Sequence, residues 1–283
     1  MSCSLNGKEL AMYDVIIIGS GAGGGMAAYQ LTKAGANVCL LEAGGYFDPA
    51  DPKYITQLKW PYESPRRGAS TVRAFGDFDA AWGGWQIDGE PYSAETGTEF
   101  HWFRSQMLGG RTNHWGRISL RFGPDDFRRY SLSGIGADWP IGYDDMKPYY
   151  DRVDKLIGVF GTNVGLPNEP DGFFLPPPKP RLHEMLITKA ARSIGVPVFP
   201  SRLAVLTKPI NQERGTCFYC AQCGRACSAY ADFSSSSALV IPALKTGKLT
   251  LINNAMAREV LTDPQSGLCT GVSYVDKNSL QER

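Results

Sequence analysis

The chain has 283 residues, 29 of them basic and 28 acidic, for a formal net charge of +1. That length can bury a sizeable core as one large domain or two small ones. Near-balanced charge excludes the basic stripe of a nucleic-acid or anionic-membrane binder. No apolar run reaches the length of a membrane span. Residues 1–8 lack the basic-then-apolar plan of a signal peptide. These features point to a cytoplasmic protein, or one exported only with a partner.

Tyr13-Asp-Val-Ile-Ile-Ile-Gly19-Ser-Gly21-Ala-Gly-Gly24 reads as an apolar strand running into a glycine-rich turn. Gly21 lets the backbone approach a pyrophosphate, Gly24 lets the next helix pack on the strand, and the helix's first N–H groups face the phosphates. Met26, Ala27, Leu31 and Ala34 recur at helical spacing, and Gly35 is placed to end the helix. Val38-Cys-Leu-Leu-Glu42 is a second strand, ending in a carboxylate suited to a ribose hydroxyl. Strand, G-x-G-x-x-G, helix, strand and acidic end in this order specify a dinucleotide. They leave its identity open, because NAD and FAD would use the same glycines.

Residues 46–105 show no clear period and are rich in Pro, Gly and aromatics, including Trp60, Trp82, Trp85 and Trp102. A loop of that length is uncommon and usually functional. Gly109-Gly110-Arg-Thr112-Asn113-His114-Trp-Gly116 is a second glycine-rich site. Met146, Tyr150, Val153 and Ile157 predict a helix, as do Leu182, Met185, Leu186 and Ala190, closed by Gly195. Between them, 167–180 contains Pro176-Pro-Pro178 and reads as a linker. Strands are expected at 249–252, 257–261 and 271–275, the last two joined by the turn Asp263-Pro-Gln-Ser-Gly267.

Of seven cysteines, four cluster in Cys217-Phe-Tyr-Cys220-Ala-Gln-Cys223-Gly-Arg-Ala-Cys227. C-x2-C-x2-C-x3-C is the bacterial ferredoxin run, although Ser228 stands where its proline would follow. An iron–sulfur cluster is one reading. A zinc site is another, although zinc prefers paired knuckles with a longer gap. Thiols that hold no metal are the third. Cys39, inside a strand, reads as a small buried apolar residue.

Together these segments resemble the glucose-methanol-choline oxidoreductases, a family of flavoproteins. The first strand-turn and Leu41-Glu-Ala-Gly-Gly45 are similar to its adenine-dinucleotide end, and Leu108-Gly-Gly-Arg-Thr-Asn-His-Trp115 to its flavin-side loop. Asp138-Trp-Pro-Ile-Gly-Tyr-Asp-Asp-Met-Lys-Pro-Tyr-Tyr-Asp151 resembles the start of its substrate domain. The segments 249–261 and 271–276 resemble the strands that return to the flavin domain. The second loop and the cysteine run point to the sugar and gluconate dehydrogenase branch.

The resemblance implies an α/β fold: a Rossmann-like FAD-binding domain with part of a second, α+β substrate domain. The first part of the FAD-binding domain would span 1–135, with the excursion at 46–105. The start of the substrate domain and the linker would span 136–200, and the cysteine loop and returning strands 201–283. The resemblance assigns FAD to Gly19, Gly21, Gly24, Glu42, Gly109, Gly110, Thr112, Asn113, His114 and Ala257. His114 carries a covalent flavin bond in some relatives, and Met256 and Ala257 would meet the adenine. Arg111 and Arg117 could offset charge on reduced flavin, though structural arginines are the commoner case. Cys217, Cys220, Cys223 and Cys227 would hold any metal.

The implied activity is FAD-dependent oxidation of a CH–OH group of a polyol, sugar or sugar acid. Hydride would pass to flavin N5 and electrons to a non-oxygen acceptor such as a cytochrome. The family's catalytic histidine, paired with a second histidine or an asparagine, lies beyond the point where this sequence ends, so the catalytic base is unassigned and the chain alone is expected to have little or no turnover. The alternatives are a non-catalytic electron-transfer module binding a dinucleotide and an iron–sulfur or zinc centre, and a nicotinamide-dependent reductase.

Overall fold

The computed structural model describes residues 4–5, 8–9, 12–52, 95–98, 106–113, 115–220, 223 and 227–283. The excursion expected at 46–105 lies outside the described residues except for 46–52 and 95–98, and His101 and His114 lie outside them altogether. In chain order the strands are β1 (Ser4–Leu5), β2 (Lys8–Glu9), β3 (Val15–Ile18), β4 (Val38–Glu42), β5 (Leu249–Asn253), β6 (Ala255–Thr262), β7 (Cys269–Asp276) and β8 (Gln281–Glu282). The α-helices are α1 (Ala22–Lys33), α2 (Arg129–Ser133), α3 (Tyr143–Ile157), α4 (Leu182–Ser193) and α5 (Ile241–Lys245). The chain divides into two compact units, one of residues 1–115, 222–228 and 234–283, the other of 116–221 and 229–233.

In the first unit, β4 is the central strand of a parallel sheet. Val15 of β3 lies opposite Val38, and Glu42 opposite Asn253 of β5. A strand covered on both faces reads as a continuous apolar run, which is why Val38 to Leu41 shows no alternation. Its side chains still part to two faces. Val38 and Leu40 pack with Ile17, Ala28, Met107, Leu108 and Val240, while Cys39 and Leu41 pack with Ala255. β6 and β7 form an antiparallel hairpin, with Asp263 at its turn accepting hydrogen bonds from the N–H groups of Gln265 and Ser266. Before α5, Ser236–Val240 form a π-helical turn in which the Ile241 N–H reaches back to the Ser236 carbonyl. Pro242 accounts for the widening: its ring would strike the carbonyl four residues back in a regular helix.

In the second unit, α3 begins where the Gly142 N–H donates to the Asp145 carboxylate and ends at Gly158, whose φ is +76°. An irregular ladder runs through 202–206. Phe160 and Leu203 exchange both backbone bonds, Ser119 donates to Arg202, and Phe233 to Ala204. Along this ladder the segment 117–122 is inverted. Arg117 and Arg121 are buried, while Ile118, Leu120 and Phe122 are 56%, 55% and 58% exposed. The buried arginines are matched. Arg117 pairs with Asp232 at 2.7 Å, and Arg121 with Asp154 at 2.5 Å and Asp151 at 2.7 Å. Arg214 donates to the carbonyls of Ile157 and Tyr230. Among the described residues no helix is long and apolar enough to cross a membrane.

Candidate dinucleotide site

The turn after β3 is shaped by what its glycines lack. A Cβ on Gly24 would lie 1.9 Å from the Gly19 carbonyl oxygen, so only glycine lets α1 pack this closely on the strand. Gly19 turns the chain with φ +87°, its N–H bonded to the Leu41 carbonyl at 2.8 Å. Gly21 is different: a Cβ there would meet nothing within 4 Å. Among the described residues nothing crowds that position. α1 starts at this point with no side-chain cap and no acidic residue in its first turn. The first amides of a helix have no intrahelical partner, and they carry the positive end of its dipole. An anion is what this geometry accepts.

Glu42 ends β4 beside the turn and is 7% exposed. Its Oε2 accepts from both the N–H and the Oγ–H of Ser20, and its Oε1 accepts from the Gly44 N–H at 2.8 Å. A carboxylate oxygen has two lone-pair sites, and among the described residues only the Gly44 N–H donates to Oε1. Gly44 is pressed against the second glycine loop: a Cβ there would lie 2.1 Å from the Gln106 carbonyl carbon. The Leu108 N–H bonds the Gly45 carbonyl at 2.9 Å.

From there the second loop runs through Gly109 and Gly110, both at positive φ, into a 3-10 turn, Gly110–Asn113. The Gly109 N–H donates to Ser20 Oγ at 2.8 Å, which joins the two glycine loops directly. Thr112 Oγ1 donates to the Gly109 carbonyl and accepts from the Ser235 N–H. Asn113 is fully buried, its Nδ2 donating to the Leu108 carbonyl and its Oδ1 accepting from Ser236 Oγ. The side chains of Thr112 and Asn113 therefore brace the loop, and its backbone is what it can present to a ring.

Gly19, Gly21, Gly24, Glu42, Gly109, Gly110, Thr112 and Asn113 are thus brought into one neighbourhood. Ala257 packs instead beside the cluster of Cys39, Leu41 and Ala255. His114 lies outside the described residues. His183 is exposed on α4, and Arg117 is consumed by its ion pair with Asp232. Sequence reasoning missed Ser20 and the buried run 234–237. Its one signal was four consecutive hydroxyls directly before an apolar helix.

The cysteine run is arranged otherwise than its spacing implies. Cys217, Cys220, Cys223 and Cys227 form no disulfide. Among the described residues no three His, Cys, Asp or Glu side chains are grouped to hold a metal. Burial pushes the Cys217 thiol up, with Cys220 and Asp232 adding to the rise against a backbone hydrogen bond from Tyr219.

The FAD binding domain family matches residues 14–50. The chain is 27% identical to the fructose dehydrogenase large subunit of Gluconobacter japonicus over 98% of this chain and 51% of that protein. It is 25% identical to the gluconate 2-dehydrogenase flavoprotein of Pantoea cypripedii over 95% of this chain and 48% of that protein. It thus spans about half the length of these curated relatives. In fold it is similar to crystalline pyridoxine 4-oxidase from Mesorbium loti, with a TM-score of 0.56 at 16% identity over 96% of this chain and 47% of that one. The expected α/β, Rossmann-like FAD-binding fold is the fold of this chain. With its glycine cradle and braced second loop, the chain carries an FAD binding domain and is similar to sugar dehydrogenases of the glucose-methanol-choline oxidoreductases, an FAD-binding family.

Proposed function

We propose that this chain is the FAD-holding part of an oxidoreductase that oxidises a CH–OH group of a polyol, sugar or sugar acid and passes the electrons to an acceptor other than oxygen. The observation that carries the reading is the open, uncapped start of α1 at Gly21, in a chain alike over 98% of its length to a protein named for dehydrogenating fructose.

The residues fit FAD. The first-turn amides of α1 suit its pyrophosphate, the remaining lone pair of Glu42 Oε1 suits the adenosine ribose, and positive-φ Gly109 and Gly110 let backbone approach a flat ring. Bound there, FAD would supply the hydride acceptor at flavin N5. The chain's own residues bind and orient: Ser20 fixes one glycine loop against the other, and Thr112 and Asn113 hold the second in shape. Among the described residues no three ligand-type side chains are grouped to hold a metal, so the reading of the flavin site stands apart from the cysteines.

The test starts with the purified chain and FAD. A stoichiometric yellow complex with quenched flavin fluorescence is expected, and Gly21→Val abolishes it. Because a Cβ at Gly21 would meet no atom of the described residues within 4 Å, this variant is chosen to exclude the cofactor, and a thermal melt of the apo-protein checks that it folds. The holo-protein is then offered fructose, gluconate and simple diols with a dye acceptor, while oxygen uptake is followed. A chain that stays colourless overturns the reading. Iron and acid-labile sulfide in the yellow protein would restore the ferredoxin-like reading of the cysteine run.

A further inference from the structure

The Ser235 hydroxyl is fully buried and lies 215 residues from Ser20 in sequence, yet it donates to the Ser20 carbonyl at 2.7 Å. The Gly21 carbonyl is also within its reach, at 3.1 Å. From its other side, the Ser235 N–H is held by Thr112 Oγ1 at 2.8 Å. α1 is cut back to admit the hydroxyl. A Cβ on Gly25 would lie 1.9 Å from Ser235 Oγ, so the fifth glycine of the turn makes room for a serine rather than for a phosphate.

The two carbonyls are those of the G-x-G turn itself. A trans peptide is planar, and its N–H points opposite to the C=O of the preceding residue. Fixing the Ser20 carbonyl inward therefore turns the Gly21 N–H outward; the Gly21 carbonyl is already held by the Gly25 N–H at 2.8 Å, so the Ser20–Gly21 peptide is the one that depends on Ser235. Among the described residues nothing lies within 4 Å of a Cβ built on Gly21, which leaves the turn uncrowded there. Were the Ser20–Gly21 peptide to flip, it would present a carbonyl oxygen to the anion in place of a donor.

We propose that Ser235 is a positioning residue for the dinucleotide pyrophosphate, holding the Ser20–Gly21 peptide of the G-x-G turn so that its N–H faces the phosphates. The inference rests on the FAD reading above. Ser235 touches no phosphate; it acts through the turn.

The experiment uses the full chain with Ser235→Ala. FAD and ADP are titrated against it, the 31P resonances of bound FAD are recorded, and the apo-protein is melted. Loss of the clamp is expected to weaken FAD and ADP alike by about tenfold, as for one lost buried hydrogen bond. It is also expected to move the diphosphate resonances, which a merely structural serine would leave in place. If Ser235→Ala does not fold, Ser235→Cys, of similar shape and with a weak donor, is judged on the same two readouts with a smaller expected loss. A parent chain that never binds FAD overturns the cofactor reading. A parent that turns yellow while the variant binds FAD and ADP equally well, with unmoved 31P resonances, overturns the role of Ser235 alone.

Discussion

The two units bury polar groups of different kinds. In the first they are mostly neutral: Ser20, Asn113 and the hydroxyls of 234–237. Glu42 is the charged exception, its carboxylate taking three protein donors. In the second they are charged: Arg117, Arg121, Arg202 and Arg214 with Asp154 and Asp232, each at most 5% exposed. A hydroxyl with a partner is cheap to bury, whereas a charge is tolerated only when paired and hydrogen-bonded. The difference follows from what each unit leaves unsatisfied. In the first, sheet and helices satisfy most of the backbone, and short hydroxyls finish the turns. They add no fixed charge to compete with a bound anion. In the second, irregular segments leave carbonyls that only a long arm can reach. Arg214 serves Ile157 from one segment and Tyr230 from another.

The severest test of this contrast is Asp232→Asn. It leaves Arg117 buried opposite a neutral amide and is expected to cost about 3–5 kcal/mol in chemical denaturation of the full chain. A loss below about 1 kcal/mol would mean that carbonyls alone satisfy Arg117, and the distinction between the units would fall. Acidity sharpens the same test. Burial pushes the Asp232 carboxyl up to about 6 against the pull of Arg117 and Arg214. The folded chain thus holds that proton more tightly than the unfolded chain, whose aspartates titrate near 3.9. The stability this group contributes is fully present below about pH 3.9 and is lost as pH rises through about 6. The advantage of the parent over Asp232→Asn should therefore widen between pH 7 and pH 4. A gap that stays constant means the carboxyl is unperturbed.

In the first unit, Gly24→Ala forces a Cβ against the Gly19 carbonyl, a backbone atom that cannot swing aside. An overpacking cost of about 1–3 kcal/mol is expected, together with loss of FAD from the purified protein. Thr112→Val keeps the side-chain shape but strands the buried Ser235 N–H, at about 1–2 kcal/mol. Denaturation midpoints of the two variants place the neutral network below the charged one. The reverse order would show that the hydroxyls are the stronger clamp.

Legibility in the sequence followed the range of the interactions. β3, α1 and β4 were readable because each announces itself locally: an apolar run, a glycine turn, a helical period. The β6–β7 hairpin was readable for the same reason, since Asp263 and Gly267 build its turn from within. Glu42 was picked out as a ribose ligand, but spacing could not show that it also anchors Ser20, because that bond depends on how two strands stagger. The run 234–237 has no period and no apolar content, and the partners that tie it to the two glycine loops lie more than a hundred residues away. The cysteine run is the converse case: local spacing matches a ferredoxin, yet among the described residues no three ligand-type side chains are grouped to hold a metal.

The inverted segment 117–122 supplies the mildest test. Its arginines point inward because Asp232 and Asp154 lie there, and period-two geometry then sends Ile118, Leu120 and Phe122 outward. Hydrophobicity should therefore contribute little at Leu120. Leu120→Thr keeps a side chain compatible with extended backbone and is expected to shift stability by no more than about 0.5 kcal/mol. Leu40→Ala, in the fully buried first-unit strand, should by contrast cost about 2–5 kcal/mol. If Leu120→Thr cost more than about 1 kcal/mol in dilute solution, that apolar row would be covered when the protein is free. The inward arginines would then not be what sets the direction of the strand.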